Sequence, residues 1–215
     1  MSKIKFRGYN RVKFQSEKLG KTVFCQSLLL RDYLIHLEWD ENVLSYELKP
    51  FKISYKLGDV RKTLSPHLLI KTFDNQQIVA WLKSSTEDEQ SLNQAVKLIS
   101  NICENEGFIF AVKSPDEIRR PPFLSNLKLL RRYHRCEITL AQTLLCSEFF
   151  LTVSNPTLGD LIKFFIHKNE NAGTAIALLS KKIVEADIDS LSLDDSLPIK
   201  LRRQFPIFKQ GRLQI

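Results

Sequence analysis

Residues 78–112 constrain the fold more tightly than any other stretch of this 215-residue chain. Ile78 to Leu82 is a short apolar run of strand character, and Phe108 to Val112 is another. Between them Leu92, Ala95, Val96, Leu98, Ile99 and Ile102 recur at helical spacing, and Gly107 ends the pattern. Thr86 with Glu89 three residues on is a capping-box arrangement that opens the helix. A strand, a covering helix and a second strand in this order bring the two strands side by side through a crossover. The expected class is α/β (α+β).

The flanking residues extend this core in both directions. Ser27 to Leu37 has the apolar density of a helix buried on most of its surface. From Val43 the period changes to that of a strand, with Leu44, Tyr46 and Leu48 alternating with polar residues. Pro50 interrupts the run, Phe51, Ile53 and Tyr55 resume it, and Gly58-Asp59 closes a hairpin. Leu64 to Phe73 reads as a further strand, joined to the 78–82 strand by Asp74-Asn75-Gln76. These strands are expected to form the antiparallel part of a mixed sheet flanked by helices. Ser114-Pro115 and Arg119-Arg120-Pro121-Pro122 break regular structure before a helix that begins at Phe123 and runs to Tyr133. Helices follow near 140–150, 157–165 and 172–182, and 187–194 alternates as a short hairpin would. Three helices and a small wing describe a winged helix. The expected organisation is a domain over 1–114, a bridge over 115–135, a winged-helix-like domain over 136–201 and a basic tail over 202–215.

Charge is distributed unevenly along the chain. The net charge is +8, yet residues 1–21 hold seven Lys/Arg against one acid and residues 196–215 hold five against none. Basic ends suit phosphate backbones or acidic partner surfaces. A third cluster, Arg119, Arg120, Lys128, Arg131, Arg132 and Arg135, has no acid between Ile118 and Cys136. With Tyr133 it is a candidate backbone-gripping face, and equally the solvated side of a helix whose leucines point inward. The helix over 171–182 has only Lys181 and Lys182 at its end, enough for a weak phosphate contact but not for reading bases. The four cysteines form no CxxC pair, so reduced thiols and a metal-free arrangement are expected. No apolar run approaches a membrane span, and Met1 to Arg7 lacks the apolar core of a signal peptide, which predicts a cytosolic protein.

Three short motifs carry the functional reading. Ser27-Leu-Leu-Leu-Arg-Asp-Tyr33 is followed by Trp39-Asp40 and by Val43-Leu-Ser-Tyr46-Glu-Leu-Lys-Pro50. Ser65-Pro-His67 opens a strand, and Trp81-Leu-Lys83 closes the next. In this order the motifs resemble a restriction-endonuclease-like fold, and within it the TnsA-like endonuclease subunit of heteromeric transposases. Members of that family have Ser-Leu-Leu-Glu-Arg-Asp-Tyr where this chain has Leu30, an acid where it has His67, and an acid or Gln where it has Trp81. Lys83 matches. The bridge, the winged-helix-like domain and residues 178–187 also resemble that family, so the likeness spans nearly the whole chain.

The resemblance implies a metal-dependent nuclease whose metal ligands are replaced. Phosphodiester hydrolysis there needs divalent metal held by carboxylate oxygens. Leu30 and Trp81 offer no oxygen, and one imidazole at His67 is a poor home for Mg2+. Displaced acids do not rebuild such a site. Glu38 lies about 12 Å along the helix from Leu30, Asp32 points elsewhere, and Asp59 and Asp74 sit in turns. The family likeness further implies DNA at transposon ends, a transposase subunit and an AAA+ ATPase regulator as partners, with an active paralogue as a further candidate. Arg202, Arg203, Phe205, Phe208 and Lys209 would be the partner-binding residues. The expected function is a catalytically degenerate subunit that binds ends and bridges transposase to regulator. The alternatives are an active Mg2+-dependent endonuclease with a rearranged site, and a DNA-binding defence scaffold outside transposition.

Overall fold

The computed structural model describes residues 12–83 and 89–202. Two strands open it as an antiparallel hairpin, β1 (Val12–Ser16) and β2 (Lys21–Cys25), which turn through Gly20 at a φ of 62°. Lys13, Lys18 and Lys21 of the basic N-terminal stretch thus lie in this hairpin. Lys18 is spent internally: its Nζ donates to the Asp40 carbonyl at 2.6 Å and to that of Val43. Helix α1 (Leu28–Trp39) follows, with Ser27 as N-cap accepting from the Leu30 N–H.

Strand β3 (Val43–Leu48) corrects the expected alternation. Val43 and Tyr46 are buried and Leu44 is exposed, because a register shift between Val43 and Ser45 inserts Leu44 as a bulge. Strands β4 (Ile53–Leu57) and β5 (Val60–Leu64) form the hairpin expected at Gly58-Asp59. They make a separate two-stranded ribbon, not part of the main sheet. The expected strand over 64–73 is thus divided, since Pro66 carries no N–H for a continuous ladder. Strand β6 (Leu68–Thr72) pairs antiparallel with both β3 and β7 (Gln77–Leu82), and Asn75 takes a φ of 64° in the turn between β6 and β7.

Helix α2 (Glu89–Asn105) crosses to β8 (Ile109–Lys113), which lies parallel to β7 as expected. The cap expected at Thr86 falls outside the described residues. The helix ends in a Schellman arrangement: Phe108 N–H donates to the Cys103 carbonyl and Gly107 N–H to that of Glu104, with Gly107 at a φ of 79°. The result is a mixed four-stranded sheet in the order β3-β6-β7-β8. Ala95, Ile99 and Cys103 of α2 pack with Ile53, Leu69 and Val79 into one core.

Strand β8 ends at Lys113, as Ser114-Pro115 leads one to expect, but a short helix follows at once. Ser114 caps a short helix, α3 (Pro115–Ile118), in a capping box with Glu117. Proline suits that first position because its missing N–H would have no helical partner there. Contacts divide the chain between Arg120 and Pro121, which leaves α3 in the first unit and α4 (Phe123–Tyr133) in the second.

The second unit continues with α5 (Leu140–Thr152), α6 (Leu158–His167) and α7 (Gly173–Ser180). Thr139 and Thr157 each start a helix with a capping box. Residues 187–194 form turns, not the expected hairpin. Asp187 Oδ1 accepts from the Asp189 and Ser190 N–H groups, and Asn126 of α4 takes up further backbone groups of the loop. Side chains thus satisfy the polar groups a partner strand would have used. The paired strands are instead β9 (Val184–Glu185) and β10 (Lys200–Leu201). Gly159 is required where the returning loop meets α6, since a Cβ there would lie 2.8 Å from Asp195 Cβ and carbonyl O. Among the described residues no helix is long and apolar enough to cross a membrane.

Candidate functional site

Positions 30, 67 and 81 are held by packing and backbone bonds. Leu30 is 3% exposed, one residue short of a full turn from its cap Ser27. At His67, the backbone N–H donates to the Ala80 carbonyl at 3.0 Å, and ring Nδ1 accepts from the Leu82 N–H at 3.1 Å. Burial, then the charge of Lys49, lowers the imidazole pKa, which keeps that acceptor nitrogen unprotonated. Trp81 is half-buried and stands beside Val112 of β8. Lys83, two residues on and by alternation on the same side, donates its N–H to the Lys113 carbonyl at 2.9 Å.

The displaced acids are engaged elsewhere. Glu38 accepts four hydrogen bonds: Ser16 Oγ at 2.7 Å and Tyr46 OH at 2.6 Å on Oε1, and the Glu17 and Lys18 N–H groups at 3.0 and 3.2 Å on Oε2. One carboxylate therefore ties α1 to the β1–β2 turn and to β3. Glu38→Ala is expected to lower stability by about 2 kcal/mol in denaturant unfolding, since the Ser16 and Tyr46 hydroxyls lose their acceptor while the two N–H groups turn to water. A loss within error of zero would mean that water replaces the carboxylate at all four donors. Asp32 is 3% exposed and receives Arg31 at 2.9 Å and Arg119 Nε at 3.0 Å. Asp59 lies in the β4–β5 turn, and Asp74 accepts from Thr72 Oγ1 in the β6–β7 turn. Among the described residues no three His, Cys, Asp or Glu side chains gather as a metal site. All four cysteines are free, and burial pushes Cys25 up to about 11 and Cys146 to about 12, so both thiols stay protonated.

The cationic residues differ in where the fold places them. Arg119 pairs with Asp32 through Nε at 3.0 Å, and both Arg119 and Arg120 are exposed. Lys128, Arg131 and Arg132 share one flank of α4, next to buried Leu124 and Leu127, and Arg135 follows just past the helix end. Arg131 and Arg132 also lie in the last turn, where the helix dipole favours positive charge. Lys181 Nζ donates to the His134 carbonyl at 3.0 Å, and Lys182 takes a φ of 56° at the end of α7. Helix α7 cannot present a reading face: Thr174, Ala175, Ala177, Leu178, Leu179 and Ser180 are all buried. Arg202 Nε lies 3.4 Å from Glu185. Arg203, Phe205, Phe208 and Lys209 fall outside the described residues.

Two lysines that sequence reasoning passed over, Lys49 and Lys113, join this picture through strand order. They follow or end β3 and β8, whose partners β6 and β7 carry His67 and Lys83 at the same end of the sheet. Neither lies in a charge run, so only the pairing reveals the grouping. A scan of the sequence against protein-family models finds no match, and a search of curated proteins finds none either.

Proposed function

We propose that this chain is a TnsA-like subunit of a transposition complex that binds duplex DNA without cutting it. The reading rests on the order of Ser27 to Tyr33, Val43 to Pro50, His67 and Trp81-Leu-Lys83, with a mixed α/β first unit and a second unit made mainly of helices. The observation that carries it is Leu30: the side chain at the helix acid position is packed in the core and supplies no metal-binding oxygen. The acids nearest in sequence, Asp32 and Glu38, are consumed by ion pairs and hydrogen bonds that hold the fold. DNA is gripped through the Lys128, Arg131, Arg132 and Arg135 flank, not through α7. Bridging a transposase to an AAA+ regulator is the part of the reading that rests on family likeness alone.

The test is fluorescence anisotropy of a labelled transposon-end duplex, titrated at several salt concentrations, with nicking read on the same samples in Mg2+ or Mn2+. The wild type is expected to retain DNA without nicking it. Arg132→Gln with Arg135→Gln is expected to flatten the slope of log affinity against log salt by about 2, near one for each phosphate no longer neutralised. Metal-dependent nicking by the wild type, or an unchanged slope in the double variant, would count against the proposal.

A further inference from the structure

The main sheet is electrically polarised along its strands. At one end lie Lys49 after β3, Lys83 after β7 and Lys113 closing β8, with His67 before β6. The opposite end has Asp40 and Glu41 before β3, Asp74 in the β6–β7 turn and Glu106 before β8, with Lys71 and the Lys18 ammonium as cations among them. The backbones at the cationic end are locked in register: Lys49 N–H to the His67 carbonyl at 3.0 Å, and Lys83 N–H to the Lys113 carbonyl at 2.9 Å. Leu82 pairs with Lys113, so alternation sends Lys83 and Lys113 to opposite faces and the two bracket the strand ends. Lys49 stands three strands from Lys113, about 14 Å at ordinary strand spacing. Two carboxylates follow Lys113 closely in sequence: Asp116 is exposed, and Glu117 is turned back onto the Ser114 N–H at 2.8 Å.

We infer that this sheet end is a metal-independent phosphate site, in which Lys49, Lys83 and Lys113 hold the phosphodiester backbone of duplex DNA directly. The inference rests on the DNA-binding reading above and names a second contact surface for it. Open sheets with parallel strands bind ligands beyond the carboxyl ends of those strands, which is where β7 and β8 deliver Lys83 and Lys113. A lysine ammonium on its flexible stem acts as a point charge toward phosphate and needs no carboxylate-held metal. His67 stays neutral as an acceptor for Leu82, so it adds no positive charge to the site and keeps the strand end closed.

The experiment measures anisotropy of a short random-sequence duplex in EDTA, for the wild type and for Lys49→Asn with Lys113→Gln. Asparagine tolerates the positive φ of 51° at position 49, and glutamine keeps most of the stem at 113, so both changes leave the fold intact, which circular dichroism checks. The expected result is binding that survives EDTA, with the slope of log affinity against log salt flatter by about 2 in the double variant. An unchanged slope while Arg132→Gln with Arg135→Gln still weakens binding overturns this site and leaves the proposed function standing. If neither pair changes the slope, both fall. Binding by the wild type that is lost in EDTA and restored by Mg2+ also overturns the metal-independent site.

Discussion

Leu30→Glu, which puts an acid at the third position of α1, is expected to cost about 3 kcal/mol at neutral pH in urea or guanidinium unfolding. Leu30 is 3% exposed, so the substitution removes a buried apolar side chain and puts a carboxylate in its place. The helix start lessens the penalty, because position 30 is three residues past the Ser27 cap, where a glutamate can reach back to the cap N–H. The pH dependence has a definite sign. Burial raises the folded-state pKa of the introduced acid above its unfolded value, so the folded variant takes up a proton more readily as pH falls. The stability gap to the wild type should therefore narrow between neutral pH and about pH 4. A variant as stable as the wild type at neutral pH would mean that position 30 faces a polar pocket able to hold a carboxylate, and would revive a metal site there.

Asn126→Ala is expected to cost about 3 kcal/mol and to loosen the loop over 187–193. The Asn126 side chain is 4% exposed, and its amide donates to the Ile188 and Leu191 carbonyls at 2.8 and 2.7 Å while accepting from the Leu193 N–H at 3.0 Å. Alanine leaves these three backbone groups without that partner, and the cost of an unmet buried group exceeds the gain of an ordinary hydrogen bond. Hydrogen exchange would report the change locally, with the Leu193 amide losing protection before the α4 amides. Asn126→Asp separates geometry from charge: it keeps the acceptor for Leu193 and places a carboxylate against two carbonyl oxygens, so it should be as destabilising as alanine. If both variants match the wild type in stability and in Leu193 protection, the loop is held by Ile188 and Leu197 packing instead.

Much of the fold was legible because its signals are local. The parallel β7–β8 pair follows from two apolar runs around an amphipathic helix, and the β4–β5 hairpin from Gly58-Asp59. The hairpin signal lies within a few positions, and the crossover signal is carried by the helix that directly joins the two strands. The misses have longer causes. Leu44 departs from the expected alternation because it is the bulged residue, while Tyr46 and Leu48 keep the inward side of the strand. Residues 187–194 look like strand by alternation, but Asn126, more than sixty residues away, satisfies their backbone.

The sequence by itself determined the strand–helix–strand core, the turns and caps, and the absence of metal-binding oxygens at positions 30 and 81, since these follow from residue type and short-range geometry. Only the tertiary structure decided which charges are presented and which are spent. Arg119 meets Asp32 across 87 positions and Glu38 meets Ser16 across 22, so neither pairing has a local signature. Lys49, Lys83 and Lys113 are likewise scattered along the chain, and strand order alone brings them to one end of the sheet. An ion pair or a phosphate site depends on distance in space, which the chain acquires only when its sheet closes and its core excludes water.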